Sequence, residues 1–350
     1  KRTVLKEGAD YRVLYQHNIN AGTGTVIVRG NGIYKGEITK TFTISQKSVK
    51  KLKVITGSII GAGSLDSLPV YVYDGTKLLQ PDIDYTLSNY KAIKRTSAQV
   101  TINAVKNSNY TGSTIVKFTV YENSAGSAVK LINPDDVTLV EDVWEYTGKA
   151  VTPKVTVSVN GKPLTNKDYK IQYQNNKNAG TGFVIITGKG EYKGKVALPF
   201  TINAETVAAD AITIKPVPAK TYNGKLHKPA VTVTIQKNGK AKKLAKNKDY
   251  TVAYENNFHA GEATIIVTGK GNYEGLSATA KFVIHSQNIK KASLKGTQDK
   301  LVLMYNKRTL REGTDYEKPV YGTAIANKVE VTIKGKGDFT GVMTKKIKTN

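Results

Sequence analysis

The chain of 350 residues has no cysteine, one tryptophan and two methionines. Without cysteine there is no disulfide framework and no thiolate for a metal, and the redox compartment is left open. Arginine is scarce as well: only Arg2, Arg12, Arg29, Arg95, Arg308 and Arg311 occur in a chain of net charge +26. Lysine carries the rest of the positive charge, dispersed and without a cluster interleaved by aromatics. Nucleic-acid readers draw on the bidentate guanidinium fork, so no nucleic-acid partner is expected. A dispersed lysine surface serves solubility first and attraction to an anionic wall polymer second. No apolar run approaches the roughly 20 residues that cross a bilayer as a helix, so no membrane insertion is expected in this stretch. Helical periodicity is missing too, since Gly or Asn breaks every window with apolar residues at i, i+3, i+4 and i+7. The sequence opens at Lys1 without a secretory leader, so an export signal or wall anchor is expected outside it.

What is present favours strands and tight turns: abundant Val, Ile, Thr and Tyr, with 31 Gly and 10 Pro. At this length several cores are expected, and an internal repeat supplies them. Asp-Tyr occurs at Asp10-Tyr11, Asp84-Tyr85, Asp168-Tyr169, Asp249-Tyr250 and Asp315-Tyr316. Each pair is followed by an aromatic-x-Gly, at Tyr34 to Gly36, Tyr110 to Gly112, Tyr192 to Gly194, Tyr273 to Gly275 and Phe339 to Gly341. The Asp-to-aromatic distance is 24 residues in four copies and 26 in the second. Between these marks NINAGTGTVIVRG (18–30), NKNAGTGFVIITG (176–188) and NFHAGEATIIVTG (257–269) correspond. About seven strand-like runs per copy predict an all-β chain of serial Greek-key sandwiches of immunoglobulin type, forming an elongated array. The expected boundaries are 1–45, 46–122, 123–203, 204–285 and 286–350. The first copy is incomplete and the last short. Residues 57–67 and 92–97 depart from the pattern in the second. Half a sandwich leaves an apolar face and a strand edge uncovered, so residues 1–45 are expected to belong to a longer array or to borrow strands.

The pattern Y-x-G-K, P-x-V-x-V, N-G-x-x-L, D-Y, N-N-x-x-A-G, G-x-G-x-Y-x-G, F-x-I resembles the immunoglobulin-like repeats of large surface proteins in gut Clostridia and other Gram-positive bacteria. Residues 142–285 carry all of it, the first copy its second half, the fifth most of it without the NAG turn, and the second only its outline. The resemblance implies a non-catalytic, secreted or cell-surface stalk or adhesin. Its partner would be a host protein or glycan, immunoglobulin among them. Accessory repeats of a secreted glycoside hydrolase, or a stalk with no ligand, are the alternatives.

Candidate chemistry is sparse. The Asp-Tyr pairs suggest acid–base work, yet their partners lie in other copies, and a glycosidase needs two carboxyl groups within roughly 5–10 Å. A turn-capping Asp and an inward Tyr account for them better. Gly-Lys-Gly at 188–190, 269–271 and 335–337, with Gly-Asn-Gly at 30–32, is followed by no helix and reads as a positive-φ corner, not a phosphate loop. His17, His227, His259 and His285 do not cluster, Asp82, Asp84, Asp135 and Asp136 lack a calcium-loop pattern, and no G-x-S-x-G elbow occurs. No metal or other cofactor is expected. A lysine–asparagine isopeptide bond is a further option that spacing cannot assign. Of the 20 tyrosines, 14 fall at repeat positions. The aromatics off the pattern are the ligand-binding candidates: Tyr71 and Tyr73, one strand face apart by period 2, then Tyr90, Trp144 and Phe258. Packing inside or between copies is the competing account of all five.

Overall fold

The computed structural model describes residues 4–31, 34–60, 62–121 and 130–349. The boundary expected near 122 and Gly32 of the first glycine corner lie outside them. Among the described residues there is no α-helix, only short 3-10 turns between strands. The chain is a series of immunoglobulin-like β-sandwiches, numbered here one to five as units in chain order.

The third and fourth units show the pattern in full. In the third, a small sheet of Val137–Leu139, Val155–Val159 and Lys162–Pro163 faces a large one of Val143–Glu145, Lys195–Asn203, Gly180–Gly188 and Tyr169–Gln174. The fourth repeats this with Ile212–Ile214, Val233–Lys237 and Lys240–Lys243 against Lys220–Thr221, Ser277–His285, Gly261–Gly269 and Tyr250–Glu255. In both, the opening stretch of the unit changes sheets. Its first part pairs antiparallel in the small sheet (Val137↔Val157, Ile212↔Ile235). Its second part crosses over and pairs parallel with the unit's own last strand (Trp144↔Ile202, Lys220↔Ile284). That crossing closes the sandwich. Alternation then fills it, with Val233, Ile235, Ile265, Val267, Phe282 and Ile284 in the fourth core.

The repeat marks explain themselves in this frame. Each repeat aspartate accepts, through Oδ2, a backbone N–H a few residues upstream: from Lys6 to Asp10 (3.0 Å), Gln80 to Asp84 (3.0 Å), Thr165 to Asp168 (2.8 Å), Ala245 to Asp249 (2.8 Å) and Arg311 to Asp315 (2.9 Å). Its main-chain carbonyl accepts from the glycine corner, from Lys189 to Asp168 (2.7 Å), Lys270 to Asp249 (2.9 Å) and Lys336 to Asp315 (2.9 Å). One residue therefore ties both ends of the hairpin, which accounts for the near-constant spacing between the marks. The tyrosines beside Asp84, Asp168, Asp249 and Asp315 are buried, and the hydroxyls of Tyr85 and Tyr250 donate to the carbonyls of Val70 (3.1 Å) and Val231 (2.9 Å). Gly36, Gly112, Gly194, Gly275 and Gly341 all sit at φ between +79° and +103°, where a side chain would be strained. A Cβ at Gly182 would collide with the Phe200 ring, so that glycine lets the ring cross the strand.

The first unit has only the large-sheet strands Tyr11–Gln16, Gly22–Gly30 and Glu37–Ile44. Among the described residues no small sheet covers it, and Tyr15 and Phe42 are 58% and 37% exposed, whereas Phe282, the counterpart of Phe42 in the fourth unit, is 3% exposed. Contacts are not confined to sequence neighbours. The Lys6 ammonium donates to the Asn306 carbonyl (2.9 Å), and Gly8 lies against the Phe258 ring.

Two outcomes follow for the cores. Tyr250→Ala should cost about 3–5 kcal/mol, as for a fully buried ring, and Tyr250→Phe about 1 kcal/mol for the hydroxyl alone. Urea unfolding of the full chain, read by hydrogen exchange in Gly261–Gly269, measures both. Burial pushes the Tyr85 phenol up to about 12 from its ordinary value of 10.0, so its contribution is complete below pH 10 and is lost as pH rises through 12. The urea midpoint of the second unit should fall over that window, and fall less in Tyr85→Phe.

Candidate functional site

The five candidate aromatics are all buried or half-buried. Tyr71 and Tyr73 do share a face, but the Phe183 ring of the third unit covers it, with centroids 5.3 Å and 5.7 Å away. Ile55, Ile185 and Ala197 complete this cluster, and Tyr73 is 4% exposed. Tyr90 lies against the second core and Trp144 against the third, its indole N–H buried without a partner. Phe258 packs between Tyr222 (5.8 Å) and His259 (4.9 Å). Among the described residues no three His, Cys, Asp or Glu side chains group as metal ligands, and no lysine is buried as an isopeptide donor would be.

What recurs is the joint between units. After the first, third and fourth units, the N-x-x-A-G turn forms a tail loop whose glycine (Gly22, Gly180, Gly261) has φ between +121° and +135°. The head of the following unit is the residue just before its Tyr-x-Gly or Phe-x-Gly mark. Ala21 N–H donates to Asn109 Oδ1 (2.7 Å), and Asn109 Nδ2 donates to Asn20 Oδ1 (3.1 Å). Ala179 N–H donates to Asn272 Oδ1 (2.7 Å), and Asn272 Nδ2 donates to Asn178 Oδ1 (3.1 Å). Ala260 N–H donates to Asp338 Oδ1 (2.8 Å), with His259 Nδ1 2.8 Å from Asp338 Oδ2. The head's own carbonyl accepts from the chain entering its unit, from Lys47 to Asn109 (2.9 Å), Glu205 to Asn272 (2.8 Å) and Gln287 to Asp338 (2.8 Å). With both sides of the connection pinned, little freedom is left in the angle between units.

Rings reinforce two joints. Tyr146 meets Tyr273 edge-on at 6.0 Å, and Tyr222 meets Phe339 at 5.5 Å. So the Tyr of each Y-x-G-K motif packs on its own unit's core and also on the aromatic mark of the next. Lys242 stands over both Tyr146 and Tyr273 and bonds the Tyr273 hydroxyl. Arg308 grips Asp315 with both oxygens at 3.0 Å and donates to the Tyr222 hydroxyl (2.8 Å), the two charged side chains being 12% and 1% exposed. Burial raises the Tyr222 phenol above its ordinary value, so it stays a neutral hydroxyl in this contact.

The second and third units meet differently. Lys94-Arg95 stands where the other tail loops have Asn-Ala or His-Ala, and the head residue is Glu191, paired to Lys130 at 2.9 Å. Here the units lie face to face. Ser58 N–H donates to the Lys195 carbonyl (2.8 Å), Lys195 N–H to Ser58 Oγ (2.6 Å) and Thr181 N–H to the Thr76 carbonyl (3.1 Å), flanking the Tyr71–Phe183 cluster. The signal was present in the sequence: Phe183-Val184-Ile185-Ile186 is continuously apolar where 264–267 read Thr-Ile-Ile-Val, and both faces of that strand are buried. A cleft of about 980 Å³ separates residues 7–14 from 252–262, with Leu14, Tyr254 and Phe258 on its walls and Arg12, Lys228 and Glu255 among its charges.

No family model matches the chain, and no curated protein does. Among solved structures it is similar to the protocadherin gammaB7 EC3-6 cis-dimer structure (11% identity, 81% of this chain and 95% of that one, TM-score 0.16). The extracellular domain of protocadherin GammaB4 (8%, 98% and 76%, TM-score 0.18) and protocadherin Gamma B2 extracellular cadherin domains 3-6 (9%, 88% and 98%, TM-score 0.20) are also similar. At such TM-scores the chains do not superpose, and nothing about partners or assembly passes to this one.

Arg308→Ala leaves Asp315 buried without its cation and should cost about 3–5 kcal/mol, whereas Lys281→Ala, whose pair with Glu262 is 65% and 57% exposed, should change stability by less than about 1 kcal/mol. Hydrogen exchange in Lys328–Lys334 and Gly261–Gly269, respectively, reads the two.

Proposed function

We propose that this stretch is a non-catalytic extracellular repeat region of a bacterial surface or secreted protein, which displays or itself forms a binding part at a fixed distance and angle. The pinned joints carry this reading: three times, side-chain and main-chain bonds fix one unit on the next across one or two residues of linker. A chain selected only for tethering needs none of these bonds, since a flexible linker suffices. The resemblance to Gram-positive surface repeats supports the location. The partner in this reading is a host glycoprotein, immunoglobulin among the candidates, or a glycan. The dispersed lysines add attraction to anionic wall polymer.

The second unit is proposed to meet that partner through its irregular loops. Tyr71 and Tyr73 are occupied by Phe183, so their substitution is expected to loosen the contact with the third unit before it affects binding.

Pull-down of the full chain from serum, mucin and wall polysaccharide at low and high salt tests the reading. A defined glycoprotein or glycan retained at high salt supports adhesion. Capture lost on adding salt reports lysine electrostatics alone, and capture of nothing leaves a stalk. Deleting residues 46–122 should abolish specific capture; undiminished capture would overturn the assignment to the second unit.

A further inference from the structure

We infer that the joint between the fourth and fifth units is a docking surface for one segment of this same chain, the turn from Lys6 to Asp10 in the first unit. Gly8 lies against the Phe258 ring, and Ala9 is buried with the cores of the fourth and fifth units. Lys6 Nζ donates to the Asn306 carbonyl (2.9 Å). Arg311 Nη2 stands 3.7 Å from Asp10 Oδ1, with its guanidinium 5.5 Å from the centre of the Tyr34 ring. The second and third units already meet side by side through Tyr71, Tyr73 and Phe183. The docked turn is a second contact across the chain, and it closes the first unit onto the last two.

The same backbone positions in the other units show that both surfaces are made for this contact. Gly8 has φ +89°, and its counterparts Asp82, Asn247 and Gly313 have φ +64°, +67° and +80°. The turn itself therefore accepts Asp or Asn at this position. A Cβ at Gly8 would nevertheless collide with the Phe258 ring, so the need for glycine comes from the contact and not from the turn. The next residue behaves alike: Ile83, Lys248 and Thr314 are exposed, whereas Ala9 is buried. On the other side Phe258 is 3% exposed, while its counterparts Ile19 and Lys177 in the tail loops of the first and third units are exposed. Three positions that face solvent elsewhere in the chain thus differ together where the two surfaces meet. Two of them carry less bulk and the third carries a ring, which is the fit of an apolar contact. The occupant this joint accepts is a Gly-Ala-Asp-Tyr turn, a sequence that the chain has once, at 8–11.

The test uses the full chain, which has no thiol of its own, spin-labelled at Lys40→Cys and Lys345→Cys, exposed strand positions of the first and fifth units. Dipolar distance measurement should give one narrow peak. Gly8→Asn gives the turn the residue of the fourth unit, Ala9→Ile that of the second, and Phe258→Lys gives the tail loop the residue of the third. Each should cut the narrow peak by at least about fivefold, and small-angle scattering should show a longer particle. Hydrogen exchange in Gly22–Gly30 should stay as in the parent, because the turn tolerates these residues in the other units. If Phe258→Lys also loosens the fifth unit, the two turn variants decide. A peak unchanged in Gly8→Asn and Ala9→Ile, or lost only together with protection of Gly22–Gly30, would overturn the docking. So would a narrow peak between singly labelled Lys40→Cys and Lys345→Cys chains mixed together, which would put the contact between two molecules.

Discussion

The hydrogen bonds of one carboxylate organise each unit. An aspartate beside the buried tyrosine holds its own turn by its side chain and the glycine corner by its main chain. That corner leads into the head residue, so the clamp at one end of a unit depends on a cap that lies wholly inside it. In the fifth unit the same carboxylate also meets Arg308 at the joint with the fourth, and core, turn and joint there share one anion. Such sharing explains why the marks keep their spacing although they are far apart in sequence.

Much of the fold was legible because it repeats. The Asp-Tyr pairs, the positive-φ glycines and the alternating last strands each recur often enough to be read as geometry before any coordinates. The opening strands were legible only in the third and fourth copies, where Y-x-G-K precedes a Pro and a Val/Thr run. The candidate site was less legible, for a physical reason. An aromatic outside the pattern marks an environment outside the pattern, but composition does not say whether that environment is solvent, a ligand or a neighbouring unit. Tyr71 and Tyr73 turned out to face the third unit, and Phe258 lies between Tyr222 of its own unit and Gly8 of the first. The sharper clue was in the partner strand, where an apolar run on 183–186 replaces alternation and implies two covered faces.

The joints were hidden for a different reason. Asn20, Asn109, Asn178 and Asn272 are turn residues by composition, and a turn explains each without further work. Only distance brings Asn109 to Ala21 across 88 residues, and Asp338 to Ala260 across 78. A residue type at home in its local role conceals its long-range one.

The parallel pairing of Val143–Glu145 with Lys195–Asn203 has a mechanical side. The opening stretch of the third unit, after Val137–Leu139 in the small sheet, ends in the first of these strands, and the chain leaves the unit through the second. Because they run in the same direction, a pull on the two ends drags them past each other lengthwise. All their hydrogen bonds are then strained together, which resists force better than peeling them one at a time. Lys220–Thr221 with Ser277–His285 has the same arrangement. Among the described residues the first unit's last strand, Glu37–Ile44, pairs only antiparallel with Gly22–Gly30 and has no parallel strand on its other edge, so under tension the first unit is a link that this arrangement does not protect.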